Sequence, residues 1–340
     1  MPQKSKWNVA VLPGDGIGTD VISAAIPVID AAKKKFNIDL NLEFGEAGLH
    51  CVEKYGTNLP KETVELVKRS DCILKGPATT PEGADSMPSL AVQLRKMFDL
   101  YANVRPCKAL PNVKNLKADT DLVIVRENTE GLYSGLDFSL GKDTAVAMRV
   151  ITREACDRIT KFAFELAKTR KKHVTLVHKA NILKASDGLF KEVFYGIAKS
   201  YPDVIADDAH IDAMTQWLIS KPETYDVIVT ENLFGDIISD EAAEIVGGVG
   251  VGPAANIGGG YAMFEPIHGS APKYAGLDKV DPIATILSVK MMFDWMGFKD
   301  AGESIQKAVE AVLKEKKVLT YDLGGTSKCS ELGREIAKNI

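Results

Sequence analysis

Short strand-like runs alternate with longer helical ones along most of this 340-residue chain. "DCILKG", "TDLVIVREN", "HVTLVHK" and "DVIVTEN" have the length and apolar content of strands. Between them lie stretches such as "REACDRITKFAFELAKTRKK" and "SDGLFKEVFYGIAKS", whose apolar residues recur with a helical period. Alternation of this kind leaves few architectures open. It predicts an α/β fold with much parallel sheet, covered by helices. The length allows two domains. Two places depart from the pattern. Pro27 falls inside the first helical stretch and should kink it or mark a break. From 247 to 260 the chain reads "GGVGVGPAANIGGG", seven glycines in fourteen residues, which suits a domain crossover or hinge.

The first strand and helix are joined by "NVAVLPGDGIGTD". A dinucleotide fingerprint needs Gly-x-Gly-x-x-Gly, the third glycine letting helix and strand pack closely. Here Gly14, Gly16 and Gly18 fall at alternate positions, and Thr19 stands where the third glycine belongs. The chain begins like a nucleotide binder and fails the count. Either it binds no dinucleotide, or it binds one elsewhere.

Charge narrows the partners. Lys and Arg number 42 against 46 Asp and Glu, a net −4. That balance argues against nucleic acid or an acidic membrane surface as the main partner, and no basic stripe with interleaved aromatics is visible. No apolar stretch approaches the roughly 20 residues of a membrane span. The opening "MPQKSKWN" lacks the apolar segment of a secretory signal. The five cysteines (51, 72, 107, 156, 329) include no C-x-x-C pair, so free thiols in a reducing cytoplasm are expected.

Two constellations carry chemistry. In "ENLFGDIISDEAAE", Asp236 and Asp240 are four apart in a helical stretch, so both carboxylates project from one face. They make either a solvated acidic face or a hard-cation site, since Mg²⁺ and Mn²⁺ favour oxygen ligands. Asp212, in "AHIDAM", is a further acidic candidate. The second constellation is arginine: Arg95 in "SLAVQLR", Arg105 in "YANVRP" and Arg126 after "DLVIV". A guanidinium stays charged and grips carboxylates bidentately, so arginines at strand ends suit a small polyanion, although each alone is more often a surface ion pair. Tyr133 and Lys179 add a candidate acid and base.

Taken together these residues resemble the metal-dependent β-decarboxylating dehydrogenases of isocitrate, isopropylmalate and homoisocitrate. The similarity runs nearly end to end, through "LPGDGIG", "DLYANVRP", "VRENTEG.Y", "VHKANI", "NLFGDIISD", "HGSAPKYAG" and "KCSEL". The resemblance implies a fold that is not a Rossmann fold. A large domain would comprise 1–99 and 247–340, a smaller central domain 100–246, with the active cleft between them. It implies that Asp212, Asp236 and Asp240 bind the metal, and that Asp212 and Lys179 enter the site from the neighbouring subunit of a homodimer. Ser89, Arg95, Arg105, Arg126 and Asn181 would hold substrate, with Tyr133 as proton donor and Lys179 as base. The "GDGIG" turn would line the cofactor cleft together with Thr79, Glu265, His268, Gly269, Ser270 and Ala271. A catalytically silent regulatory subunit should have lost part of this set, and none is lost.

Within the family, the segment 84–95 separates the substrates. Ser89 stands six residues before Arg95, as in isocitrate enzymes, where its hydroxyl can meet a third carboxylate; Ala91 departs from the asparagine of many of them. The expectation is isocitrate, with homoisocitrate or isopropylmalate as the alternative. Lys273 and Tyr274 replace the Asp-Ile of NAD-specific relatives, and Tyr321 matches a further tyrosine at the 2′-phosphate; together they imply NADP. Two departures keep NAD open as the weaker cofactor. Gly325 stands where NADP enzymes carry arginine, and Asp281 replaces an asparagine at the adenine and adds a charge.

Overall fold

The alternation of side chains along each strand decides what each face of the sheet meets. The computed structural model describes residues 4–83 and 86–340. Ala84 and Asp85, which open the 84–95 segment, lie outside the described residues. The strands are β1 (Trp7–Leu12), β2 (Leu40–Phe44), β3 (Cys72–Lys75), β4 (Ala102–Lys108), β5 (Asp121–Glu127), β6 (Asp137–Ser139), β7 (Ala145–Ala147), β8 (His173–His178), β9 (Ile205–His210), β10 (Val227–Thr230), β11 (Pro253–Ile257) and β12 (Ala262–Pro266). The helices are α1 (Gly18–Phe36), α2 (His50–Tyr55), α3 (Lys61–Arg69), α4 (Leu90–Met97), α5 (Arg153–Lys168), α6 (Ser186–Ala198), α7 (Ile211–Ser220), α8 (Asn232–Val246), α9 (Ile283–Trp295), α10 (Lys299–Glu315) and α11 (Cys329–Lys338).

Ten strands form one mixed sheet in the order β2-β1-β3-β12-β11-β4-β5-β10-β8-β9, and β6 and β7 make a separate hairpin. The flanks are parallel, as expected from their helical crossovers. The middle is antiparallel at β12–β11, β11–β4 and β4–β5. There β11–β12 and β4–β5 are joined by connections without an α-helix, and a parallel return would need a longer crossover. The 247–260 stretch carries the chain from β10, in one half of the sheet, to β11 in the other. The break expected at Pro27 is corrected: α1 runs through it for 19 residues. Burial of Val21, Ile22, Ala25, Val28, Ile29 and Ala32 along one face holds the helix together despite the missing amide.

On one face Val9, Val11, Leu74, Val104, Val123, Ala255 and Phe264 join a single core with α1, α5, α6, α9, α10 and α11. The other face carries two separate cores. Ala10, Leu12, Ile73 and Met263 pack with α3 and α4; Cys107, Leu122, Ile124 and Ile228 pack with α7 and α8. Between those two cores the strands present polar residues: Lys75, Asn103, Arg105, Arg126, Asn256 and Glu265, all buried. All five cysteines are buried free thiols. No helix among the described residues is long and apolar enough to cross a membrane.

Candidate active site

Strand alternation puts Lys75, Arg105, Arg126 and Glu265 on the sheet face left open between α4 and α8. From one side α4 contributes Arg95, with Ser89 at its N-cap but not capping it. A cavity of about 180 Å³ opens here, lined by Lys75, Ser89, Ala91, Arg95, Arg105, Glu265, His268 and Gly269. Glu265 is the buried anchor. It accepts from Lys75 at 2.8 Å, Arg95 at 3.1 Å and Asn256 Nδ2 at 2.8 Å. Burial works to raise its pKa, but the two cations and these hydrogen bonds outweigh it and hold the carboxyl well below the usual range. The Nε of Arg95 is buried with no hydrogen-bond partner among the described residues.

From the other side α8 contributes Asp236 and Asp240, one turn apart as expected. Arg105 spans them: Nη2 lies 3.3 Å from Asp236, and Nη1 lies 3.1 Å from Asp240 and donates to Ser239 Oγ at 2.7 Å. Arg126 ion-pairs with Asp236 and donates from Nε to Asn232 Oδ1 at 3.0 Å. Burial, then the charges of Arg105 and Arg95, pull the Arg126 pKa down. Three guanidiniums crowded this closely favour an anion among them. Burial pushes the Asp236 carboxyl up, but Arg126 and Arg105 more than offset it and keep it ionised. Asp240 is raised by burial, with the charge of Asp236 adding and Arg105 opposing. The Tyr133 hydroxyl donates to Asp236 at 2.6 Å. Burial and that bond raise its pKa, so it keeps its proton.

The structure does not bring every candidate to this cluster. Lys179 pairs with Asp212 at 2.5 Å, Asn181 is exposed, and neither Lys179 nor Asp212 bonds to Asp236 or Asp240. Among the described residues of one chain, no three His, Cys, Asp or Glu side chains group to hold a metal. Lys179 is nevertheless firmly held. Its amide donates to buried Asp187 at 2.6 Å, and the preceding His178 makes a 2.9 Å bond through Nε2 to Asp208 while Nδ1 accepts from Ala180 N at 2.9 Å. Burial raises the Asp208 pKa, but bonds from Lys191, Tyr195 and His178 lower it to about 2. A depressed carboxyl contributes stability that is complete above its ordinary pKa near 3.8 and is lost as pH falls toward 2. Asp208→Asn is therefore expected to lower Tm by about 2–4 °C at neutral pH, a gap that closes toward pH 2. Thermal melts across pH check this; a gap independent of pH would count against it.

The glycine turn serves backbone packing. The amides of Asp15 and Ile17 donate to Pro77 O at 2.8 Å and Ser270 O at 2.9 Å. A Cβ on Gly16 would lie 2.0 Å from Ser270 O, so only glycine permits the approach. Thr79 and Ser270 meet against this turn, their hydroxyls 2.6 Å apart. His268 is half-buried, and the loss of solvent around its ring lowers its pKa; its Nδ1 lies 3.0 Å from Gly269 O. Ala271 takes a left-handed φ of 38° at the start of the exposed turn that carries Lys273 and Tyr274. The rings of Tyr274 and Tyr321 lie 5.7 Å apart, with Lys273 Nζ 4.8 Å from the first and Lys279 Nζ 4.4 Å from the second. Burial works against the charge expected at Asp281. The side chain is buried, accepts from Ile283 N at 2.7 Å, and is raised well above the carboxylate range by burial and by Asp322. At Gly325 a Cβ would sit 2.1 Å from Leu319 O, so no side chain fits this backbone. Sequence reasoning missed Lys75, Asn232 and Lys279. Only the position of Lys279 in "KYAGLDKVD" offered a signal.

An α/β sheet whose open face gathers three guanidiniums and a carboxylate pair makes a candidate site for a small polyanion. The chain belongs to the isocitrate/isopropylmalate dehydrogenase family, whose sequence profile matches residues 8–336. It is 45% identical over 337 residues to a 3-isopropylmalate/3-methylmalate dehydrogenase of Methanocaldococcus jannaschii, covering 98% of both chains. It is 46% identical over 349 residues to a homoisocitrate dehydrogenase of the same organism, covering 98% of this chain and 97% of that one. The solved isocitrate dehydrogenase from Methylococcus capsulatus superposes with a TM-score of 0.93 at 40% identity, covering 98% and 99% of the two chains.

Proposed function

We propose that this dehydrogenase catalyses the metal-dependent, nicotinamide-linked oxidative decarboxylation of a 3-substituted malate, with homoisocitrate as the preferred substrate. The observation that carries the reading is the convergence of Arg105 and Arg126 on Asp236 and Asp240, with Tyr133 bonded to Asp236 and Arg95 near enough for its charge to act on Asp236. The homoisocitrate dehydrogenase and the 3-isopropylmalate/3-methylmalate dehydrogenase among the relatives support a substrate other than the isocitrate expected from Ser89. Ser89 keeps a hydroxyl for a distal carboxylate, which an isopropyl group would not use. Ala91 leaves room where isocitrate enzymes carry asparagine, which suits a chain one methylene longer.

Asp236 and Asp240 fit a hard divalent cation, being oxygen donors whose mutual repulsion a cation relieves; Asp212 would complete the set from a second copy of the chain. Such a cation, when bound, stabilises developing negative charge as a Lewis acid, and the nicotinamide accepts hydride. Arg105 and Arg126, held by Asp236 and Asp240 in this structure, turn to the substrate carboxylates, and Arg95, fixed by Glu265, meets them in place. Lys179 of the second copy takes the hydroxyl proton, through a short relay. Tyr133, kept protonated by burial and Asp236, returns a proton to the enol carbon. The segments 1–99 with 247–340, and 100–246, act as two domains around this cleft. Lys273, Tyr274, Lys279 and Tyr321 favour NADP by offering two ammoniums and two hydroxyls to a 2′-phosphate. Five free thiols suit the cytoplasm.

Initial rates of reduced-nicotinamide formation, with Mg²⁺, for homoisocitrate, isocitrate and isopropylmalate against NADP⁺ and NAD⁺ test the reading. Homoisocitrate is expected to lead in kcat/KM by about tenfold, roughly 1.4 kcal/mol. Leadership by isopropylmalate would overturn the role given to Ser89. In the same assay Lys273→Asp with Tyr274→Ile is expected to cut the NADP/NAD ratio at least about tenfold; an unchanged ratio would remove the cofactor assignment.

A further inference from the structure

The strands that form the floor of the substrate pocket also form the floor of a second, larger cavity on the reverse side of the sheet. Because side chains alternate, Val104, Ala255 and Phe264 point into this cavity while their neighbours Arg105, Ala254 and Glu265 line the pocket in front. The cavity has a volume of about 570 Å³ and lies between α5 on one side and α9 and α10 on the other, with Trp295 in its wall. That volume falls within the roughly 300–1,000 Å³ of small-molecule sites.

The charges around it are already satisfied. Lys108 pairs with Glu310 at 3.2 Å, Lys290 with Asp294 at 2.7 Å, and Arg170 with Asp121 at 2.8 Å and Asp226 at 2.7 Å. A charged ligand would have to break one of these pairs, whereas an uncharged apolar one need only displace water from the partly exposed Leu166, Met291 and Trp295. We propose that this cavity is a regulatory site for an uncharged apolar small molecule, of the size of one or two fused rings or a compact branched hydrocarbon. Its occupancy alters substrate affinity through the shared strands. The regulatory half rests on the reading of the front pocket given above; the binding half does not.

The probe is N-phenyl-1-naphthylamine, uncharged and fluorescent in apolar surroundings, titrated into the full chain. One saturable site is expected. Ala255→Phe, which fills the floor, and Leu166→Glu, which places an unpaired charge on the α5 wall, should each weaken binding at least about tenfold, as should the added charge of 8-anilinonaphthalene-1-sulfonate. Leu166→Glu carries the test if the strand variant does not fold. Phe138→Ser, on the exposed apolar hairpin β6–β7, should leave binding unchanged. The proposal is overturned by the absence of saturable binding, by binding that survives the cavity variants, or by binding that disappears in Phe138→Ser. At saturating probe, the KM of the best substrate should shift at least about twofold; an unmoved KM overturns the regulatory half. A chain inactive on every substrate of the panel would overturn the front-pocket reading and leave the binding result standing.

Discussion

Replacing Asp240 by asparagine is expected to lower kcat/KM at least about 10³-fold, near 4 kcal/mol at about 1.4 kcal/mol per tenfold. The substitution is nearly isosteric, and the side chain is 57% exposed, so the fold should survive. What changes is charge. Asp236 is held ionised by Arg126 and Arg105, while partial loss of solvent and the charge of Asp236 work against the ionisation of Asp240. Two carboxylates in that condition gain more from a divalent cation than from solvent, and a cation so held is worth several kcal/mol to a developing enolate. Mg²⁺ should raise Tm in the parent by mass action and fail to do so in Asp240→Asn. Turnover within tenfold of the parent, with an unchanged Mg²⁺ response, would sink the metal assignment. The same variant separates the cation site from a merely solvated acidic face, for which neither quantity should move.

Elements set by local pattern were legible in the sequence, and those set by distant partners were not. "DLVIV" becomes the buried strand β5 because four apolar residues in a row, Leu122 to Val125, suit a sheet covered on both faces. The antiparallel middle of the sheet escaped notice because β11 finds β4 about 150 residues away, and nothing in either strand records its direction. Pro27 signals a break that packing overrides. The pairing of Asp236 with Asp240 followed from helical spacing; Arg105 bridging them did not, because it needs the register of β4 against α8. Lys75 was passed over since a lysine closing an apolar strand reads as solvent-facing, and its burial depends on Glu265, 190 residues later. Asp281 shows the reverse tension. Residue type suggests a charge, and burial beside Asp322 works against it.

Glu265→Gln should be the most destabilising single change in the pocket. The carboxylate is 8% exposed and faces two buried cations, Lys75 at 3% and Arg95 at 9% exposure. The amide is close to isosteric, so little cavity forms, but the negative charge that compensates both ammonium and guanidinium disappears. Breaking a buried pair in this way costs roughly 3–5 kcal/mol, because the remaining charge is stranded away from water. At about 2–4 °C per kcal/mol, Tm should fall by roughly 6–20 °C. The pH dependence has a definite sign. A carboxyl held well below its ordinary value contributes its full stability above the ordinary range and loses it only as pH falls through the depressed value. The deficit of Glu265→Gln should therefore be constant from neutral pH down to about 5 and narrow only in strong acid. Melts followed by circular dichroism at several pH values decide the matter. A fall of less than about 2 °C would mean that water reaches Lys75 and Arg95, and that the buried cations need no fixed counter-charge. In that case Arg95 would be free to turn, and the cavity beside Ser89 could not be the pre-formed carboxylate site on which the substrate assignment depends.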